Sequence, residues 1–205
     1  MQMKIAIIGA TGNVGSRLVA EALSRGHRVT AVARSASRLP TDARLSFSGV
    51  DATDPEQLSR ALAGHDVVIS ATPFRLVKPE SLIGAVRRSG VARYLVVGGA
   101  GSLEVSPGQA LVDSPGFPAQ YKEESLAGKA FLEALRKVQD LDWTMLSPSA
   151  LFTAGQRTGV FRLGHDSLLT AADGKSWISF EDFAVALLDE VENPKHSRQR
   201  FTIGY

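Results

Sequence analysis

The run Lys4-Ile5-Ala6-Ile7-Ile8 passes directly into Gly9-Ala10-Thr11-Gly12-Asn13-Val14-Gly15, and no other stretch restricts the possible folds as strongly. The apolar run reads as a strand, the glycines at spacing three as a turn, and Val14 to Gly26 as an amphipathic helix of about 13 residues, roughly 20 Å long. A strand that enters a helix through glycines presents unhindered backbone amides at the positive end of the helix dipole. An anion such as a pyrophosphate binds well there. Gly9 then makes the tight turn, Gly12 removes a Cβ that would hold phosphate away, and Gly15 lets the helix lie close to the strand. Thr11 and Asn13 are candidates to cap the helix or donate to phosphate oxygens, and Val14 opens the helix. The pattern is G-x-x-G-x-x-G rather than G-x-G-x-x-G, so its weight comes from the strand before it and the helix after it.

Arg28 to Ala33 reads as a second strand, entered from the Gly26-His27 turn, and it ends at Arg34-Ser35-Ala36-Ser37-Arg38. A chain selective for NAD carries an acid about 20 residues beyond the glycine turn, where it holds the ribose 2′-hydroxyl. No acid occurs between Gly26 and Asp42. Arg34, Ser35 and Arg38 instead suit a 2′-phosphate, which guanidinium groups grip bidentately. The expected cofactor is NADP(H) in preference to NAD(H).

Leu45 to Val50 reads as a third strand leading to Asp51 and Ala52, where an adenine would lie, although Asp51 serves equally well as a turn residue. Asp54-Pro55 starts a helix that runs to Gly64. Asp66 to Ala71 is nearly continuous in apolar residues, as a parallel strand covered on both faces must be, and it leads into Thr72-Pro73-Phe74. A helix over Glu80 to Ser89 precedes a fifth strand, Arg93 to Val97, which ends in Gly98-Gly99-Ala100-Gly101-Ser102. Small residues at the carboxyl ends of the first, fourth and fifth strands leave a crevice for a cofactor. The proline- and glycine-rich stretch from Ser102 to Ala119 reads as a lid over the nicotinamide end or as a plain surface loop. Tyr121 to Gln139 is a long helix, and Trp143 to Leu146 a sixth strand ending in Ser147-Pro148-Ser149. Beyond Phe152, Val160 to Leu163 and Ser167 to Thr170 look like a small hairpin about Gly164-His165-Asp166. Asp173-Gly174-Lys175 is a turn, Glu181 to Glu192 a helix and Arg200 to Ile203 a last strand. These elements predict an α/β fold, a Rossmann-type doubly wound parallel sheet. Residues 1–205 form one domain, with a cofactor-binding core at 1–150 and a cap over the substrate end at 151–205.

Composition excludes several functions. The net charge of +2 in 205 residues is too small to argue for nucleic acid, and the one basic cluster, Lys195 to Arg200, lacks interleaved aromatics. With no cysteine there is no disulfide, thiolate metal site or cysteine nucleophile. The four histidines are scattered, so no metal site is expected. The N-terminus lacks signal-peptide form, and no segment approaches the roughly 20 apolar residues of a membrane helix. A cytoplasmic protein with a small-molecule partner, without nucleic acid or membrane, is therefore expected. Oligomeric state is left open.

The whole chain resembles the atypical and extended short-chain dehydrogenase/reductases, specifically the small NAD(P)H-binding group of NmrA-like and NADH-flavin reductase-like proteins. The resemblance rests on the glycine turn, on Val96 to Ser102, on Leu146-Ser147-Pro148-Ser149 and on Ile178-Ser179-Phe180-Glu181-Asp182-Phe183-Ala184. It implies strand order 3-2-1-4-5-6 and a cofactor lying across the glycine turn. It also implies that Ala71, Thr72, Pro73, Gly98 and Gly99 pass the nicotinamide ribose, and that Ser147-Pro148 passes the nicotinamide. Typical members carry Tyr-x-x-x-Lys on the helix after the fifth strand, where the lysine lowers the pKa of a proton-donating tyrosine. Here Ser125 follows Tyr121 by four residues and precedes Lys129 by four. Three readings remain: Tyr121 donates from the helix start, Lys129 survives as a ribose contact, or no dedicated acid exists.

Reducing an unactivated carbonyl needs a positioned acid, whereas flavins and quinones accept hydride readily and take protons from water. Phe74, Phe117, Tyr121 and Phe152 are candidates for a wall on which a flat acceptor stacks, with ordinary core packing as the alternative for each. The leading expectation is an NADPH-dependent oxidoreductase passing hydride to a free flavin or quinone. The alternatives are a non-catalytic NADP(H)-binding redox sensor, and a carbonyl reductase or epimerase using Tyr121.

Overall fold

The computed structural model describes residues 2–37 and 39–205. Its elements follow in order: β1 (Lys4–Ile8), α1 (Asn13–Ser24), β2 (Arg28–Val32), β3 (Leu45–Ser48), α2 (Pro55–Leu62), β4 (Val67–Ser70), α3 (Pro79–Arg88), β5 (Arg93–Val97), β6 (Glu104–Ser106), β7 (Gln109–Ala110), α4 (Ala119–Arg136), β8 (Asp142–Pro148), β9 (Leu151–Thr153), β10 (Arg162–Gly164), β11 (Trp177–Ser179), α5 (Phe180–Glu192) and β12 (Gln199–Gly204). Eight strands form one sheet in the order β3-β2-β1-β4-β5-β8-β12-β10. All neighbours in it are parallel except β10, which runs antiparallel to β12. The expected 3-2-1-4-5-6 order is present, extended by these two further strands.

Both faces of the sheet are covered, which is why its central strands are apolar throughout. Successive residues of β1 point to opposite faces. Ile5 and Ile7 meet Leu18 and Val19 of α1 and Phe183 and Leu187 of α5. Ala6 and Ile8 meet Leu58 and Leu62 of α2, Leu82 and Val86 of α3, and Phe131 and Leu135 of α4. Each such large side chain contributes about 1.5–3 kcal/mol when fully buried. Two helix starts are capped from within the chain. Asp54 accepts from the Glu56 and Gln57 amides ahead of α2, and Ser179 from the Asp182 amide ahead of α5.

Three regions differ from the sequence reading. Val160–Leu163 and Ser167–Thr170 do not form a hairpin. The outer edge of β12 offers an unfilled ladder, and β10 fills it, with Arg162 opposite Gly204 and Leu163 opposite Ile203. Ser167 pairs instead with Glu104. The stretch from Ser102 to Ala119 is largely an anchored hairpin, β6 with β7. Leu103 and Val112 are buried, the Glu104 amide donates to the Asp166 carbonyl at 2.8 Å, and the Leu168 amide donates to the Glu104 carbonyl at 2.8 Å. What could move as a lid shrinks to 114–118, after the short turn Leu111–Asp113. Finally, β9 and β11 pair in parallel as a small second sheet beyond the end of β8.

Candidate functional site

The glycine turn is clamped between its neighbouring strands. The Gly9 amide donates to the Val32 carbonyl at 2.9 Å, and the Ala71 amide to the Ile8 carbonyl at 2.8 Å. Gly9 has φ +78°, and a Cβ there would sit 2.7 Å from the Ala71 carbonyl oxygen. A Cβ on Gly15 would come within 2.1 Å of the Gly9 oxygen. These two glycines are therefore demanded by packing. Gly12 is exposed, and the nearest atom to a Cβ there is the Gly9 oxygen at 3.2 Å. Its missing side chain mainly opens the outer side of the turn.

The helix begins at Asn13 with Gly12 as its N-cap, and no side chain caps it. The expectation that Thr11 or Asn13 caps α1 therefore fails, because the turn itself occupies the capping position. No acid lies in the first turn of α1 or of α4, whereas α2 carries Glu56 there, α3 Glu80 and α5 Glu181 and Asp182; of these helices α1 is the one that starts at a glycine turn. Amides at a helix start that are neither capped nor flanked by carboxylates fit a pyrophosphate. Val14 is half-buried against the core that α1 shares with α5.

At the end of β2, Arg34 and Ser35 are exposed. The Ser35 hydroxyl accepts from the Ser37 amide at 3.2 Å. Arg38 lies outside the described residues. Asp51 Oδ1 accepts from the Thr53 amide at 2.9 Å and hydroxyl at 2.8 Å. Those bonds, helped by the charge of Arg34, hold its carboxyl below the usual range despite a small opposing effect of burial. Asp51 is thus a turn former whose Oδ1 is engaged, and Ala52 packs against the core under α2 and α3.

Ala71, Thr72 and Pro73 leave the end of β4, the first two half-buried and Pro73 exposed. The next residue turns away from the crevice. The Phe74 ring packs on Phe131 with centroids 5.2 Å apart, in a space left by Gly128. Glu124 of α4 takes the Phe74 and Arg75 amides at 2.7 and 3.2 Å, pinning this turn to α4. No sequence signal distinguishes Glu124 from the other acids of that helix. At the end of β5 the Gly98 amide donates to the Leu146 carbonyl at 2.7 Å, while nothing lies within 4 Å of a Cβ on Gly99. Pro148 is buried opposite Ile203.

Of the four rings expected to form an acceptor wall, Phe74 and Phe152 pack on other rings of the fold. Phe152 packs against Phe180 and Phe183, each at 4.7 Å, in the core under α5. Phe117 is half-buried within 114–118. Tyr121 is 60% exposed, and among the described residues its hydroxyl has no hydrogen-bond partner. Lys129 Nζ is held by Asp113 Oδ2 at 2.6 Å. Ser125 abuts Gly101, where a Cβ would lie 2.5 Å from its own. Among the described residues, neither Tyr121 nor Lys129 has the other, or a second cation, as a hydrogen-bond partner.

A group of carboxylates whose joint role the sequence reading does not foresee straps residues 155–159 onto α1 and α5. Glu21 binds the Arg157 guanidinium at 2.8 and 2.9 Å, and Glu181 accepts from the Gly155 amide at 2.8 Å and from Arg17 at 3.0 Å. Asp182, buried at the start of α5, accepts from the Thr158 and Gly159 amides, both at 2.8 Å, from the Thr158 hydroxyl at 2.5 Å and from the Tyr205 hydroxyl at 2.7 Å. Burial pushes the Asp182 carboxyl up, but these bonds outweigh it and leave the group below the usual range. In the sequence it stands in the Ile178 to Ala184 motif, three residues after Ser179, which announces a helix start but not the strap.

Among the described residues no group of histidine, aspartate or glutamate is placed to hold a metal, and no helix is long and apolar enough to cross a membrane. A family model described as NAD(P)H-binding matches residues 9–194. The uncharacterized protein YwnB of Bacillus subtilis is 36% identical over 211 residues, covering 98% of this chain and 98% of its own. Among solved structures, a putative epimerase from Bacteroides thetaiotaomicron is 41% identical with a TM-score of 0.95, covering 100% of this chain and 98% of that one. A putative NADH-flavin reductase from Streptococcus pneumoniae is 35% identical with a TM-score of 0.87, covering 98% and 99%.

Proposed function

Since the chain belongs to the NAD(P)H-binding family, as an oxidoreductase of the Rossmann kind, we propose that it uses NADPH to reduce a small flat acceptor, a free flavin or a quinone. The observation that carries the NADPH reading is the exposed Arg34 at the end of β2, one strand away from the glycine turn whose Gly12 starts α1 without a side-chain cap. In this reading the amides around Gly9, Thr11, Gly12, Asn13, Val14 and Gly15 neutralise the pyrophosphate. Arg34 and Ser35, with Arg38, hold the 2′-phosphate. The bound dinucleotide supplies hydride.

Ala71, Thr72, Pro73 and Gly99 would pass the ribose, with Gly98 packed against Leu146 and Ser147 beneath them and Pro148 beside the nicotinamide. Proximity and orientation then account for the rate. The balance would be one hydride from NADPH, leaving NADP⁺, and one proton from solvent, together giving the dihydroflavin. The Lys129–Asp113 pair and the solitary Tyr121 hydroxyl support an acceptor that needs no protein acid. The similar Streptococcus protein, by its name, points the same way.

The same absence of a poised acid favours one second reading, a redox sensor that binds NADP(H) without turnover. The deciding measurement is NADPH oxidation by the purified protein with riboflavin, FMN and a simple quinone, each repeated with NADH. Turnover above the uncatalysed rate and faster with NADPH is the expected result. Cofactor binding without turnover would leave the sensor.

A further inference from the structure

The small sheet of β9 and β11 begins three residues after Pro148, at the end of the molecule where the proposed hydride transfer takes place. Its inner face sends Phe152 and Ile178 into the core. Its outer face carries the register partners Leu151 and Trp177, followed by Thr153. With the turn over Asp173, Lys175 and Ser176 this face lines an open, solvent-facing groove of about 690 Å³. That size falls in the range of small-molecule sites. Leu151 is 59% exposed within it, although a leucine gains from burial. Trp177 is fixed against Tyr205, their rings 4.3 Å apart. The charges of the lining cancel: Lys175 Nζ sits 3.0 Å from Asp173 Oδ2, and Asp173 also accepts from the Lys175 amide.

We propose that this groove binds the ring of the hydride acceptor, an uncharged planar aromatic such as an isoalloxazine or a naphthoquinone, and that it reads the ring and ignores any anionic tail. The apolar indole and leucine surface supplies a ring's contact area, and Asp173 beside Lys175 offsets the one cation of the lining, which leaves a phosphate little net attraction. The assignment of the ligand as acceptor rests on the reductase reading. The site itself does not.

The chain has two tryptophans, Trp177 in the lining and Trp143 buried under α4, and a bound flavin quenches both by energy transfer, so each titration is read as an affinity and not as an amplitude. Riboflavin, FMN and menadione are titrated without NADPH. Saturable quenching is expected, with riboflavin and FMN equal within about threefold and, read through Trp143, about threefold or more weaker in Trp177→Phe. Leu151→Glu, at an exposed position, should weaken riboflavin about tenfold or more while NADPH affinity is unchanged. FMN binding about tenfold tighter than riboflavin, or riboflavin affinity untouched by Leu151→Glu, overturns the proposal. Quenching that follows the expected pattern in a protein without turnover upholds the site and removes the reductase reading. Turnover whose riboflavin KM is indifferent to Leu151→Glu does the reverse.

Discussion

Gly15 and Gly9 touch so closely that the Cβ of any other residue at position 15 would stand 2.1 Å from the Gly9 carbonyl oxygen. At Gly12, three residues earlier, the corresponding approach is 3.2 Å and the position faces outward. One glycine answers to the fold and the other to what lies outside it. Gly15→Ala should cost about 1–3 kcal/mol through overpacking and lower Tm by roughly 2–4 °C per kcal/mol. Gly12→Ala, whose Cβ asks the Gly9 oxygen to give by only a few tenths of an ångström, should lower Tm less than Gly15→Ala and weaken dinucleotide binding about tenfold or more. Thermal melts and cofactor titrations of the two variants separate the roles, and a large Tm loss in Gly12→Ala would assign that glycine to packing.

Arg34 decides between the two dinucleotides if the 2′-phosphate lies at the end of β2. A charge-assisted contact of this kind is worth about 1.5–3 kcal/mol, roughly 10- to 150-fold in affinity. Arg34→Asp should therefore lose NADPH by a factor in that range and leave NADH within about twofold, as measured by titration at fixed salt. An equal loss for both cofactors would move the discriminating contact elsewhere.

The Tyr-x-x-x-Lys arrangement predicts a tyrosine with a cation beside it, but here Asp113 engages the lysine and Tyr121 stands alone. Tyr121→Phe should leave flavin or quinone reduction within about twofold across pH 6–9. Lys129→Met removes an exposed pair, worth about 0–1 kcal/mol of stability. A loss of about 100-fold in Tyr121→Phe would restore the tyrosine as the acid and favour a carbonyl substrate.

The parallel core was legible because burial on both faces forces apolar runs such as Ile5 to Ile8 and Val67 to Ile69, and because Asp54-Pro55 and Ser179 announce helix starts chemically. The strands β9 and β11 were not. Each is three residues long and pairs with a partner 26 positions away, as Leu151 with Trp177, so no periodicity develops. The hairpin assigned about Gly164 failed for a related reason, since the free edge of β12 competes for β10. Rings such as Phe74 and Phe152 carry no mark that tells a core filler from a binding wall, and only the opposing Phe131 and Phe183 settle it. The glycine turn could be read because its requirement is steric and local. The carboxylate strap could not, because each of its bonds joins residues more than 20 positions apart.

Asp182 turns that strap into a pH dependence with a definite sign. All four of its partners donate to it: the Thr158 and Gly159 amides and the hydroxyls of Thr158 and Tyr205. Its carboxyl is held below its ordinary value of about 4. A group lowered on folding contributes its full stability above the unfolded value and loses it as pH falls through the folded one. Glu21 and Glu181, which hold Arg157 and the Gly155 amide, are lowered as well and act in the same direction. Asp182→Asn presents an amide to donors and should cost about 1.5–3 kcal/mol at neutral pH. It should also flatten the decline of stability below about pH 4 relative to the wild type, since one of the three titrating carboxylates is gone. Urea unfolding at a series of pH values measures both effects, and hydrogen exchange at 155–159 locates them. Equal acid slopes in the two proteins would show that Asp182 keeps its proton equilibrium through unfolding, and that the strap is held by Glu21 and Glu181.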